Sequence, residues 1–496
     1  MLSDAKLSLY ANTYLDSTRQ PGDSKGSTLN HKELCIHAHF YQPPREDPFT
    51  GVIAPELGAE PYSNFNEKVT AECYRPNAEL GNFELISFNL GPTLASWLES
   101  YDPVTYQRIL DSDRKNVMRY GVGNAIAQAY NHTILPLATR RDKETQVAWG
   151  IADFRHRFGR DPQGMWLPEM AVDTETLEVL AEQGITFTIL CPHQVHPPNG
   201  GWADSIRYYE TRLPLNRRIA LFLRDEELSN RIAFDQGITQ NAANFIHWCL
   251  INSNNANRLY LIATDGETFG HHQPGREHFL HDLLSTEAPQ AGYQVTYLGR
   301  HLREYPPSGE AEIVEDSSWS CGHGVDRWYK GCTCTPGISK WKGQLRTALD
   351  RLAGGIDALY LHETKGRVSD PWALRNAYIH VMLGEMSGEA LLREYAGKAL
   401  TTDESHRLLT MLEAQRFRQA MYTSCAWFFE DLSRLEPRYV IANAARAIRL
   451  VEEATGVSLE DGFRRDLAQA ESWITYENGA DIYDEIVKAH PTLPQV

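Results

Sequence analysis

Leu259-Tyr260-Leu261-Ile262-Ala263-Thr264-Asp265-Gly266-Glu267-Thr268-Phe269-Gly270 begins as an unbroken apolar run and ends in acidic residues and glycines. A short continuous apolar run of this kind predicts a strand buried on both faces, with Asp265 just past its end. The same arrangement recurs along the chain. Leu34-Cys35-Ile36 ends at His37, Ile185 to Cys191 ends at Pro192-His193-Gln194, and Ile219 to Leu223 ends at Arg224-Asp225. Between these runs the period changes. Val147, Ile151, Phe154 and Phe158 keep helical spacing up to Gly159, and Asp173 caps a helix whose stripe is Leu177, Leu180 and Ala181, ending at Gly184. Strands alternating with helices predict an α/β fold with parallel pairing, and barrels of this sort carry their reactive groups on the loops at the carboxyl ends of the strands.

After roughly residue 340 the alternation gives way to helical patterns, near Trp341–Arg351, Pro371–Tyr395, Glu404–Met421, Arg438–Ala454 and Leu459–Ser472. Leu408, Leu412, Phe417 and Met421 keep to one side of their helix, as packing on a neighbour requires. The chain therefore divides into a polar, turn-rich arm over 1–30, a barrel over 31–335 and a helical C-terminal domain over 336–496. At 496 residues it is too long for one ordinary core, which fits this division.

The bulk numbers exclude several classes. A net charge of -17 disfavours binding to nucleic acid and gives no reason to approach an anionic membrane. No apolar run reaches the length of about 18 residues that spans a bilayer. Met1-Leu2-Ser3-Asp4-Ala5-Lys6 lacks the basic cluster and apolar core of a secretory signal, so the expected address is cytoplasmic. Eight cysteines lie too far apart for a disulfide framework. Four soft donors nevertheless fall within a short span, Cys321, His323, Cys332 and Cys334, and make a candidate zinc site whose spacing is not that of a standard zinc ribbon.

Four motifs carry chemistry. In Ile36-His37-Ala38-His39-Phe40-Tyr41-Gln42-Pro43-Pro44-Arg45-Glu46, strand alternation points His37 and His39 into one space, as zinc ligands or as partners for sugar hydroxyls, with Gln42 and Arg45 following. In Gly123 to Leu137, Gln128 and His132 share a face if the segment is helical. Trp166-Leu167-Pro168-Glu169 sets an aromatic stacking wall beside a carboxylate. Asp265-Gly266-Glu267-Thr268-Phe269-Gly270 sets a carboxylate between glycines that let backbone approach a ligand. Two carboxylates in one pocket are the minimum equipment for breaking a glycosidic bond.

His37-Ala38-His39 with Gln42-Pro43, Trp166 to Glu169, and Asp265 to Gly270 resemble, in order and spacing, the signature motifs of glycoside hydrolase family 57, which acts on α-glucans with retention. The resemblance covers roughly residues 34 to 330. It implies an incomplete (β/α)7 TIM-like barrel followed by helices, with Glu169 at the nucleophile position and Asp265 at the general acid/base position. The stretches Ser317 to Gly324 and Tyr422 to Phe429 further resemble a poorly characterised branch of that family. One departure stands out: the second motif usually includes a carboxylate, and Gln128 is the nearest polar stand-in here.

The expected activity is a glycoside hydrolase or transglycosylase working on an α-glucan or oligosaccharide by double displacement, with no cofactor. Carboxyls about 5–5.5 Å apart suit this route. His37, His39, Gln42, Arg45, Gln128, His132, Trp166, Glu267, His271 and Trp319 are the candidate substrate contacts, and Glu267 is expected to raise the proton affinity of Asp265. The rivals are a zinc-dependent barrel hydrolase using His37 and His39, and a non-catalytic glucan-binding protein.

Overall fold

The computed structural model describes residues 32–197, 200–201, 203–205, 208–250 and 258–491. The polar arm expected over 1–30 lies outside them. The central strand is β1 (Lys32–Phe40), whose residues from Glu33 to Phe40 are all buried, because helices or neighbouring strands cover both of its faces. Along β1 the other strands fall into place. β2 (Ser87–Leu90) pairs parallel with its second half, β3 (Ala125–Gln128) follows β2, and β4 (Met165–Trp166) follows β3. A single parallel bridge, Gly164 to Phe187, leads to β5 (Phe187–Leu190).

An antiparallel hairpin interrupts the alternation. β6 (Tyr209–Leu213) returns as β7 (Arg217–Leu223) through a turn in which Leu215 and Asn216 have φ of 58° and 59°. β7 then pairs parallel with β5. The last barrel strand, β8 (Arg258–Asp265), pairs parallel with β1 over the whole register from Lys32–Arg258 to His39–Asp265. Between β7 and β8 the junction is thin, with the Asp225 N–H donating to the Leu261 carbonyl at 2.6 Å. The strands of the ring thus run in chain order, β1-β2-β3-β4-β5-β7-β8, and return to β1: the incomplete (β/α)7 barrel. β9 (Tyr293–Val295) adds to the first residues of β1, on the edge that β2 occupies further along.

The helices begin and end where their residues dictate. In α1 (Arg140–Phe158) the Thr139 side chain accepts from the Asp142 N–H and Gly159 stops the helix at φ 66°; in α2 (Thr174–Glu182) Asp173 accepts from the Thr176 N–H. Past residue 340 the described residues are largely helical. α3 (Trp341–Thr364) runs well beyond Arg351, through Gly354-Gly355, where a Cβ on Gly355 would already press on Leu459. The stretch Pro371–Tyr395 breaks into three short helices, with Gly384 turning at φ 71° before the Ser387 cap. α4 (Thr402–Ala420) and α5 (Leu435–Thr455) pack on α3 around buried Trp341, Leu349, Leu412, Trp427 and Ile448.

Phe49, Ile134 and Ala171 from the barrel side join this second core. A buried polar knot also joins the two parts: Asp142 of α1 meets Arg418 at 2.8 Å and Arg375 at 3.1 Å, and accepts from the Gln419 amide at 2.7 Å. No helix among the described residues is long and apolar enough to cross a membrane.

Candidate active site

β4 ends at Trp166, and three residues later the backbone turns sharply. Glu169 has φ 59° and ψ 19°, and Met170 has φ 49°, a left-handed conformation that costs a residue with a Cβ about 1–3 kcal/mol and persists only when the surroundings impose it. The imposing strip is residues 317–320, lying antiparallel beside 169–172: the Trp319 N–H donates to the Glu169 carbonyl at 2.9 Å and the Val172 N–H to that of Ser317 at 3.0 Å. The same strip fixes the side chain. Trp319 Nε1 and Ser320 Oγ both donate to Glu169 Oε2, at 2.9 and 2.6 Å. Burial raises the proton affinity of Glu169, and the bonds from Ser320 and Trp319 and the Arg327 charge only partly oppose it.

Asp265 closes β8 directly beside His39 of β1. Burial and then the charge of Glu169 push its pKa up to about 7, with Arg224 pulling the other way. Glu267 is pushed up to about 8 by burial and by Asp265, against hydrogen bonds from the Tyr74 hydroxyl at 2.6 Å and the Tyr41 N–H at 3.3 Å. The neighbour whose charge raises Asp265 is therefore Glu169, where the sequence pointed to Glu267. The glycines also differ from expectation. A Cβ on Gly266 would lie 2.3 Å from the Phe40 ring, and one on Gly270 (φ 139°) 2.2 Å from the Glu72 carbonyl, so both make room for the protein's own chain and none for a ligand.

The histidines form a closed relay. The Asn89 amide nitrogen donates to His39 Nδ1 and to Gln128 Oε1, each at 2.9 Å, and Asn89 Oδ1 accepts from His37 Nε2 at 3.2 Å. His39 Nε2 then donates to His132 Nε2 at 3.2 Å, and His132 Nδ1 donates to Ser424 Oγ at 2.6 Å. His37 Nδ1 takes the Ser87 hydroxyl at 3.0 Å. Burial lowers the pKa of His37 and of His39 to about 3 and that of His132 well below its usual value, so all three rings are neutral near pH 7. Every ring nitrogen of His37 and His39 is engaged within the protein, which leaves the pair none to offer zinc.

A cavity of about 1260 Å³ opens over these groups. Glu169, Asp265 and Glu267 line it together with Arg224, and its aromatic walls include Tyr41, Phe65, Trp319, Phe428, Phe429 and Tyr439. The last three come from the helical part of the chain.

The sequence model described as Glycosyl hydrolase family 57 matches residues 47–313, more than half of the chain. The chain belongs to glycosyl hydrolase family 57. Residues 338–495 match a second model, described as a domain of unknown function, DUF3536. An alpha-amylase of Pyrococcus abyssi is 21% identical over 279 residues, which are 53% of this chain and 41% of that protein, so the chain spans well under half of this relative's length. Among solved structures, an exo-type maltose-forming amylase from Pyrococcus sp. ST04 superposes with a TM-score of 0.70 at 15% identity, covering 92% of this chain and 89% of that one. A GH57-type branching enzyme from Pyrococcus horikoshii superposes with a TM-score of 0.55 at 16% identity, covering 94% and 98%. At these identities the likeness bears on the fold.

In this family 57 chain, the structure gathers Glu169, Asp265, His39, Gln42, Arg45, His132, Glu267, His271 and Trp319 around one cavity. Three of the expected contacts stand apart from its lining. His37 and Gln128 lie beneath, bonded to Asn89, and Trp166 is fully buried, stacked on His39 with ring centroids 4.6 Å apart. Trp166 thus supports the imidazole rather than walling the cavity. Gln128 ends a strand and His132 follows in a turn at φ 54°, so the two share no helical face. Arg224, Ser320 and Arg327 also line the cavity without being candidate contacts from the sequence, although Arg224 ends an apolar run just as Asp265 does.

Cys321, His323, Cys332 and Cys334 gather in the loop following the 317–320 strip, and their ligand atoms all lie within 4.8 Å of one another.

Proposed function

We propose that this protein is a retaining glycoside hydrolase or transglycosylase of α-glucans, with Glu169 as nucleophile and Asp265 as general acid/base. The observation that carries the reading is the division of labour between two half-buried carboxyls in one aromatic-lined cavity. Both donors to Glu169 fall on Oε2, which leaves Oε1 as the attacking atom, while Asp265, at about 7, still holds a proton near neutral pH.

In the first step Oε1 bonds to the anomeric carbon and the glycosidic C–O bond breaks. Its electron pair stays on the leaving oxygen, which takes the proton of Asp265. In the second step the Asp265 carboxylate removes a proton from water or from a sugar hydroxyl, whose oxygen displaces Glu169 from the anomeric carbon. Two inversions leave the configuration unchanged. Whether water or a sugar ends the cycle depends on how far bound glucan keeps water away, and the aromatic residues Phe428, Phe429 and Tyr439 flank the cavity where an acceptor sugar can stack. A neutral polymer also suits a chain with a net charge of -17.

Incubation with maltoheptaose and with amylose, followed by NMR of the first anomer released and separation of the products, tests this. Retained α-configuration is expected, and Glu169→Gln should lower turnover by at least about 10³-fold, the scale of a lost nucleophile. Inverted product, turnover unchanged in Glu169→Gln, or binding without turnover would each overturn the reading.

A further inference from the structure

The loop that carries Trp319 and Ser320 to Glu169 continues directly into Cys321-Gly322-His323, and Cys332 and Cys334 fold back onto it. Cys321 Sγ lies 3.6 Å from Cys332 Sγ and 3.7 Å from Cys334 Sγ, and His323 Nδ1 lies 3.3 Å from Cys334 Sγ. A disulfide would bring two of these sulfurs to about 2.05 Å. A tetrahedral zinc ion with Zn–S near 2.3 Å and Zn–N near 2.0–2.1 Å instead sets S–S edges of about 3.8 Å and S–N edges of about 3.5 Å. These three separations are close to those edges, and no two of the four ligand atoms are more than 4.8 Å apart.

The surroundings fit an ion as well. The Cys334 N–H donates to Cys332 Sγ at 3.4 Å, the kind of bond that stabilises a thiolate. Lys342 is fully buried at the neighbouring helix start; its ammonium meets the Thr335 hydroxyl at 3.2 Å and no carboxylate within ion-pair distance among the described residues. Three thiolates, a neutral imidazole and Zn²⁺ sum to one negative charge, the counter-charge a buried ammonium needs. Thr333, Cys334, Pro336, Gly337 and Ile338 are exposed or nearly so, so the loop has little apolar anchorage of its own.

We propose that Cys321, His323, Cys332 and Cys334 bind a structural zinc ion, and that this ion fixes the strip presenting Trp319 and Ser320 to Glu169. The three thiols release their protons to solvent as the ion binds. No position is left open for substrate, because four protein donors complete the tetrahedron. The link to Glu169 rests on the proposed function; the metal site does not.

Full-length protein, grown with zinc and purified without chelator, is assayed for metal by mass spectrometry, then stripped and refilled with Co²⁺. About one zinc per chain and a thiolate-to-cobalt charge-transfer band with tetrahedral d–d bands are expected. Cys334→Ser should at least halve the zinc content, and Cys249→Ser, away from the cluster, should leave it unchanged. Less than about a tenth of an equivalent of zinc with no thiolate–cobalt band, or a mass showing a disulfide within the cluster, would overturn the proposal. If Cys334→Ser fails to fold, the wild-type cobalt spectrum decides. Zinc present without glucan turnover would sink the proposed function and leave this site standing.

Discussion

Ser320 Oγ donates to Glu169 Oε2 at 2.6 Å, joining residues 151 positions apart in the chain. Without that donor only Trp319 and the Arg327 charge oppose the effect of burial on Glu169, and its proton affinity climbs further. Ser320→Ala should therefore move the acid limb of the pH profile to higher pH. A hydrogen bond to a charged group contributes about 1.5–3 kcal/mol, so kcat/KM should fall roughly 10- to 100-fold at neutral pH. An acid limb left in place, measured with maltoheptaose, would show that Ser320 does not act on the nucleophile.

Arg224 supplies the opposite test at the other carboxyl. Its guanidinium lowers the pKa of Asp265 from where burial and Glu169 would put it, and the net value is about 7. In the proposed mechanism Asp265 must be protonated to release the leaving oxygen, so activity should decline as pH rises through about 7. Arg224→Met removes the cation; the alkaline limb should then shift to higher pH, by a fraction of a unit or more. A shift to lower pH would contradict the assignment of Asp265 as the acid.

Much of the barrel is readable because β1, β5, β7 and β8 are buried on both faces and so appear as apolar runs. β2, β3 and β4 are only two to four residues long and carry Asn89 and Gln128 inward to hold the histidines, which hides their strand character behind polar side chains. Alternation put His37 and His39 on the same side, and both do bond Asn89. It is silent on depth: two residues of strand are about 6.5 Å, enough to leave His37 beneath the cavity that His39 lines. Phe428, Phe429 and Tyr439 were illegible for another reason. Helical periodicity reports which face is buried within a bundle, and carries nothing about which helix end meets a barrel mouth.

Gly266 is placed between the two acidic residues by contact with the core. A methyl group there would overlap the Phe40 ring, itself fully buried, so Gly266→Ala must push apart β1 and the turn that carries Asp265. Overpacking of this kind costs about 1–3 kcal/mol. Activity should fall by more than the loss of folded protein explains, as the proposed pair of Glu169 and Asp265 is displaced. Full specific activity in the folded fraction would mean that the turn tolerates the displacement.

The junction of the two parts can be tested through Asp142. Burial alone would raise its pKa, but Arg418 and Arg375, with hydrogen bonds from Gln419 and Thr139, reverse this and hold it at about 2. Asp142→Ala leaves two buried guanidinium groups without that carboxylate, a loss of about 3–5 kcal/mol by the usual cost of breaking a buried pair. The sign of the pH dependence follows from the depressed pKa. Ionised Asp142 stabilises the fold above its unfolded value near 3.9, and this contribution disappears as pH falls toward about 2. The stability gap between wild type and variant, measured by urea unfolding, should thus be widest at neutral pH and narrow on acidification between those values. A gap that stays constant down to pH 2 would show that Asp142 contributes by shape and not by charge. Because Gln419 also takes the Gln146 amide at 3.0 Å from the barrel side, the variant should loosen the seating of α4 on α1 and with it the wall of the cavity. Affinity for maltoheptaose should weaken in parallel with the stability loss.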